Sequence, residues 1–356
     1  MSVFDHPWLA GLLGDAEMGA IWSAEADLAR MIAFEAAYSR ALGAAGLADA
    51  AMAERAARAI EAARIDMDAL RDGTGRDGLP VPALVAQLKR AAGADAGAVH
   101  RGATSQDVID SALACALRDT GGLVRDRLVA LRAALEALHE RFGDRALMGR
   151  TRMQAALPIS VADRIDGWAL PLGDHLDRLE RIAPQVARLQ LGGPVGTRGD
   201  LGGQGAAVAE AVAAALGLAP ASQWHARRDG VVEFAGLLSL ISGSLGKMGQ
   251  DICLMAQQTP REVTLSGAGG SSAMAHKQNP VAAELLVTLA RYNATQLSAM
   301  HQALVHEQER SGTAWQLEWM VLPQMAQATG RALVAATALC DAVVEIGPSG
   351  QHSLQP

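Results

Sequence analysis

Four stretches of this chain place apolar residues at alternating steps of three and four, a spacing that fits long helices packed along a seam. The first, 105–142, carries Val124, Leu128, Leu131, Leu135, Leu138 and Phe142. The second, 159–190, carries Ile165, Trp168, Leu172, Leu176, Leu179, Ile182, Val186 and Leu189. The third, 229–258, carries Val231, Phe234, Leu238, Ile241, Leu245, Met248, Ile252 and Met255. The fourth follows Pro280 with Leu286, Leu289, Leu297, Met300 and Leu304. Helices of about 30 residues are about 45 Å long. A bundle that elongated has flanks one chain cannot cover, which points to an oligomer. Pro171 and Pro184 fall inside the second stretch and predict a kink or break there.

Aromatic residues make up only 3% of the 356, while hydrophobic residues make up 50%. The core is therefore built from Ala, Leu, Val, Ile and Met, which favours closely packed helices over a sheet. No alternating strand pattern and no βαβ rhythm is visible. The fold class is all-α. A smaller N-terminal helical domain over 1–103 holds shorter helices at 25–44 and 49–63 and a turn-forming loop at 72–82, DGTGRDGLPVP. The central long-helix bundle spans 104–345, and the tail 346–356 reads as frayed. The net charge of −7 weighs against nucleic acid as a partner. Cys115, Cys253 and Cys340 form no paired framework, so a reducing cytoplasm is expected. The start, MSVFDHPWLAGLLGD, has no basic region followed by an apolar run. No stretch holds the roughly 18 unbroken apolar residues of a membrane span.

Two glycine-rich loops interrupt the bundle. The first, GGPVGTRGDLGGQG at 192–205, lacks GxGxxG spacing and follows no strand, so it does not read as a dinucleotide site. The second, GAGGSSAMAHKQNP at 267–280, holds Ser271, Ser272, His276, Lys277 and Asn279 within nine positions. A linker between two bundle helices needs only a few residues, and this one is longer and chemically richer. GAGGSS sets many backbone N–H groups beside small side chains, so it can wrap an anion. Lys277 adds a fixed positive charge, Asn279 suits the next helix's N-cap, and Pro280 suits its first turn. Such a loop would hold a carboxylate and stabilise the doubly negative species left when a proton departs from the adjacent carbon. A Ser hydroxyl in the same field is the candidate proton-transfer group.

HRGATSQD at 100–107 opens the first long helix. Thr104 or Ser105 can N-cap it, and Thr104 with Asp107 resembles a capping box. Free hydroxyls at a helix N-terminus also make an anion site, and this segment alone supports both readings equally. GRTRMQAALP at 149–158 clusters Thr151, Arg152 and Gln154, and taken alone reads as a solvated turn. The histidines offer no metal site: HEQER is not HExxH, and His301 and His306 lie five apart.

Together these segments resemble the fumarase/aspartase superfamily. GSSAMAHKQNP is similar to its signature loop, GSSxMxxKxNP, while HRGATSQD and GRTRMQAALP are similar to its first and second conserved regions, in the same order. The resemblance runs from FEAAYSRALGAAGL at 34–47 to HEQERSGTAWQLEW at 306–319. Within the superfamily, GATSQDVID at 102–110, QWHARRD at 223–229, GSLGKMGQDI at 243–252 and ERSGTAWQLEW at 309–319 are similar to its carboxymuconate cycloisomerase branch. The resemblance implies a homotetramer with active sites assembled from three subunits, no metal or organic cofactor, and a small polycarboxylate substrate. It implies reversible lactonisation in bacterial protocatechuate breakdown. Position by position, Ser271 matches the catalytic serine, and Lys277 and Asn279 match residues that hold the substrate carboxylate. Thr104, Ser105, Thr151 and Gln154 match substrate-contacting positions, with His100 and His225 as weaker transfers.

Three departures accompany the match. Ala275 replaces the usual proline, and Gln278 a frequent arginine. Arg152 stands where many of the lyases have a histidine that helps protonate the leaving group. Lyases expel strongly basic amines or alkoxides, whereas a cycloisomerase opening its lactone expels a carboxylate, which needs no proton. An arginine can orient that carboxylate instead. The C-terminal helical domain that most members carry is expected to be absent or vestigial here. The rival readings are an adenylosuccinate- or argininosuccinate-type lyase releasing fumarate, and a catalytically silent relative that kept only the bundle.

Overall fold

The computed structural model describes residues 2–347 except 260, 268, 271–273 and 275–277. Ser271 and Lys277 therefore lie outside the described residues, as does the tail beyond Gly347. Helices dominate. The N-terminal part folds as α1 (Ala10–Leu13), α2 (Ala16–Ile21), α3 (Ala24–Ala44), α4 (Ala50–Glu61), α5 (Met67–Asp77) and α6 (Val81–Ala92). Then come α7 (Ser105–Phe142), a hairpin of β1 (Ala146–Thr151) and β2 (Gln154–Ser160), α8 (Val161–Val186) and α9 (Gly205–Leu216). The chain continues through α10 (Asp229–Met255), β3 (Val263–Leu265), α11 (Val281–Gln302), α12 (Thr313–Ala342) and β4 (Val343–Ile346), which pairs antiparallel with β3.

The seams foretold by spacing lie on the buried faces of the long helices, except that Leu304 of the fourth falls beyond α11 and is exposed. α7 buries Val124, Leu128, Leu131, Leu135, Leu138 and Phe142, and α10 buries all eight of its seam residues. α10 packs on α8, α11 and α12, α12 also packs on α7, and α3 packs on α4, α7 and α9. α10 is apolar and long enough to cross a membrane by composition, but most of its apolar window is buried against these neighbours. Capping boxes open both α7 and α8: Thr104 with Asp107, and Ser160 with Asp163.

Three expectations are corrected. α8 continues through Pro171 and Pro184 without a break. Each proline removes one backbone hydrogen bond, but the buried row Ile165, Trp168, Leu172, Leu179, Ile182 and Val186 holds the helix on its neighbours. Residues 72–77 of the expected turn-rich loop are the last turns of α5. Asp66 caps that helix by accepting from Asp68 N and Ala69 N, and a Cβ on Gly73 would stand 2.4 Å from the Ala83 Cβ, so the glycine marks close packing onto α6. The chain also contains strands. β1 and β2 make an antiparallel ribbon turning at Arg152 and Met153, both in the left-handed region with φ of 51° and 69°. Residues 149–158 are nearly all exposed, so neither face of the ribbon imposes the apolar alternation by which a strand is recognised.

Candidate active site

The N-terminus of α7 is where the structure concentrates its buried polar groups. Asp107 lies one turn inside the helix and is fully buried. Its carboxylate accepts from Thr104 N at 3.0 Å, Gly192 N at 2.8 Å, Gly193 N at 2.9 Å and His225 Nε2 at 2.9 Å. An ionised carboxylate only accepts, so His225 carries its proton on Nε2. The first glycine-rich loop is thereby pinned beneath the helix start. Gly193 has φ +71°, and a Cβ there would come within 2.9 Å of the Gly102 carbonyl, so only glycine fits the crossing.

One turn further along, Asp110 accepts from Gln106 Nε2 at 2.9 Å, Trp315 Nε1 at 3.1 Å, and Arg228 Nη1 and Nη2 at 2.7 and 3.1 Å. Arg228 is buried and makes a second bidentate pair with Glu318, at 2.9 and 2.5 Å, while its guanidinium lies 4.8 Å over the Trp224 ring. Burial pushes the Asp110 carboxyl above its usual range, and Arg228 opposes that shift without cancelling it. Burial also pushes Glu318 up, but Arg228 and His306 together outweigh it and hold that group low. Three of the four segments that resemble the cycloisomerase branch thus meet in one network. The fourth lies on α10, where Gly246 and Gly249 let α11 approach.

The expected site residues fall into three places. At the first, Thr104 N-caps α7, Ser105 is the first helical residue, and the exposed Arg310 guanidinium donates to Thr104 Oγ1. His100 precedes them at φ +57°, its Nδ1 2.5 Å from the buried Glu35 carboxylate. His225 has no exposed side chain here and reaches this end of the helix through Asp107. At the second, Thr151 and Gln154 face each other across the exposed ribbon tip and Arg152 forms its turn. Arg150, one pair back from the ribbon tip, pairs with Glu262 at 2.9 Å, just before β3. At the third, Asn279 exchanges backbone hydrogen bonds with Gly269 at 2.8 and 3.0 Å. It lies at the rim of a cleft of about 540 Å³ lined also by Met274, Gln278, Arg261 and Thr264. Pro280 rather than Asn279 is the N-cap of α11, and no side chain caps it. Among the described residues, no hydrogen bond joins these three places within the chain.

Sequence reasoning missed Arg310 and the Asp110–Arg228–Glu318 cluster. The available signal was the repetition of acidic residues at 107 and 110 on the face of α7 that also carries apolar core positions, where charge persists only if paired.

A bundle of long helices with polar loops gathered at the start of α7 has the architecture of the fumarase/aspartase-type lyases. The chain belongs to the lyase family, whose model matches residues 15–293. Among curated proteins, it is 38% identical over 336 residues to a 3-carboxy-cis,cis-muconate cycloisomerase of Acinetobacter baylyi, covering 91% of this chain and 74% of the relative. Among solved structures, it is similar to the 3-carboxy-cis,cis-muconate lactonizing enzyme from Pseudomonas putida, with TM-score 0.89 and 35% identity over 95% of this chain and 77% of that one. A fumarate lyase from Mesorhizobium sp. BNC1 superposes with TM-score 0.87 at 32% identity, covering 94% of this chain and 76% of that one.

Proposed function

We propose that this chain catalyses the reversible lactonisation of 3-carboxy-cis,cis-muconate to a carboxymuconolactone, as a cytoplasmic homotetramer without metal or organic cofactor. The observation that carries the reading is the meeting of 102–110, 223–229 and 309–319 around the α7 N-terminus. These are segments in which the chain resembles the lactonising branch, and together they bring the Arg310 guanidinium and the Thr104 hydroxyl to the helix start, where an anion can be held. Arg152 favours the same branch over a fumarate-releasing lyase, because the group expelled from a lactone is already a weak base.

In the forward direction one carboxylate of the substrate attacks the far end of the conjugated double bond, forming the ring C–O bond. The displaced electron pair flows into the neighbouring carboxylate, held by the 267–280 loop with Lys277 and Asn279. Ser271 then delivers its hydroxyl proton to the adjacent carbon. In reverse the Ser271 alkoxide removes that proton and the ring carboxylate departs, oriented by Arg152. Thr104, Ser105, Thr151 and Gln154 bind the remaining carboxylates. The test is a spectrophotometric assay following loss of the diene. Ser271→Ala is expected to lower turnover by about 10²–10³ with the assembly intact. Wild-type turnover by that variant refutes the serine's role. Fumarate release from succinyl substrates instead of lactonisation overturns the assignment.

A further inference from the structure

His306 stands beside the buried Asp110–Arg228–Glu318 cluster, and the reaction scheme gives it no role. Its side chain is 1% exposed, and neither ring nitrogen has a hydrogen-bond partner among the described residues. The nearest charged group is the Glu318 carboxylate, whose Oε1 lies 3.7 Å from Nε2, an ion-pair distance rather than a hydrogen bond. The surrounding charges do not balance without it. Asp110 and Glu318 are two acids around the single guanidinium of Arg228, all three essentially without solvent contact. Protonating Asp110 does not resolve this, because its two oxygens already accept four hydrogen bonds from Arg228, Gln106 and Trp315. One further positive charge brings the cluster to neutrality, and burial makes that balance matter. The other acid beside His306 is Glu307 on the same connection, which faces solvent and accepts from Ser311.

The connection carrying His306 runs from α11 to α12 and delivers Arg310 to Thr104 at the start of α7. We infer that His306 is a positioning residue: its imidazolium closes the charge balance of the Asp110–Arg228–Glu318 cluster and so holds the 303–312 connection where Arg310 can engage a substrate carboxylate. Loss of the proton leaves a buried net negative charge beside an unpaired ring, and the connection loosens. The inference rests on the proposed lactonising reaction for its substrate, but not for its charge state. Substrate affinity follows the His306 proton, whereas the chemical step, carried out at the 267–280 loop, does not.

Two measurements test this. The first uses nitrogen-15-labelled histidine and no substrate: the His306 ring signal, assigned by its loss in His306→Gln, is followed against pH in the wild-type protein. The second records KM and kcat for 3-carboxy-cis,cis-muconate over the same range in wild type, His306→Gln, Arg310→Ala and the double variant. The expected result is a wild-type KM that rises about tenfold as the ring loses its proton, with kcat changing less than about threefold. His306→Gln should show the raised KM at every pH, and adding it to Arg310→Ala should change nothing further. A ring that stays neutral throughout the active range overturns the inference, as does His306→Gln with wild-type KM and pH profile. If His306→Gln does not fold, coincidence of the wild-type ring titration, assigned through Glu318→Gln, with the KM profile supports the inference, and their separation overturns it. If the muconate is not turned over, the functional reading fails, and the ring titration alone still decides the charge of the cluster.

Discussion

Asp107 does two jobs, of which the sequence discloses one. Its spacing from Thr104 announces a capping box, and the structure contains it. Nothing local announces that the same carboxylate gathers Gly192, Gly193 and His225, which are distant in sequence and meet it only through the packing of the loops. Each carboxylate oxygen faces at least two donors: Thr104 N and Gly193 N at Oδ2, Gly192 N and His225 Nε2 at Oδ1. In Asp107→Asn either orientation of the amide therefore turns an NH2 against at least one backbone N–H in a site without water access. We expect a loss of about 2–4 kcal/mol, read as a lower urea midpoint with an unchanged slope. A variant within about 0.5 kcal/mol of wild type would show that the network is not what fixes the glycine loop. His225 illustrates the same limit: its sequence neighbourhood marks it as special, but only the fold reveals that it stands behind Asp107.

Among elements, legibility followed the size of the side chains. The bounds of α7 were readable to the residue because large apolar residues repeat along it and Thr104 marks its start. α12 was not singled out, since its second half buries Ala328, Thr329, Gly330, Ala332, Ala335 and Ala336, small residues that leave no strong three–four rhythm. The segment GSLGKMGQDI, one of those that resemble the cycloisomerase branch, is a helix contact within α10. A Cβ on Gly249 would stand 2.5 Å from the Ala283 carbonyl oxygen, which is backbone of α11 and cannot move cheaply. Gly249→Ala is expected to cost about 1–3 kcal/mol by forcing α10 and α11 apart. On the same helix Gly243 is exposed, with nothing within 4 Å of its would-be Cβ. There alanine should stabilise by about 0.5–1 kcal/mol through helix propensity alone. Equal effects at the two positions, measured by chemical denaturation, would contradict close packing as the reason for Gly249.

At the scale of the molecule, one chain separates what the proposed reaction needs together. Thr104 and Arg310 sit at the α7 N-terminus, Thr151, Arg152 and Gln154 on the ribbon tip, and Asn279 beside the 540 Å³ cleft. The long helices meanwhile leave large apolar side chains outward, with Leu170 on α8 71% exposed, Met320 on α12 68% and Leu240 on α10 54%. Exposed rows on rigid helices are what a symmetric assembly covers, and an assembly can bring one chain's ribbon to another's loop. The repeat of apolar residues made the bundle legible in the sequence, whereas sites shared between subunits were implied only by the family resemblance, because no pattern within one chain specifies the surfaces between chains. If sites are shared, two defective chains can repair each other. Ser271→Ala and Arg152→Ala, each nearly inactive alone, should regain activity when co-expressed. In randomly mixed tetramers about a quarter of the sites would draw an intact ribbon and an intact loop from different chains. Light scattering should confirm that the mixed species has about four times the 37.0 kDa chain mass. Mixed tetramers without any recovered turnover would mean that each chain completes its own site, with the ribbon and loop brought together by a rearrangement inside one subunit.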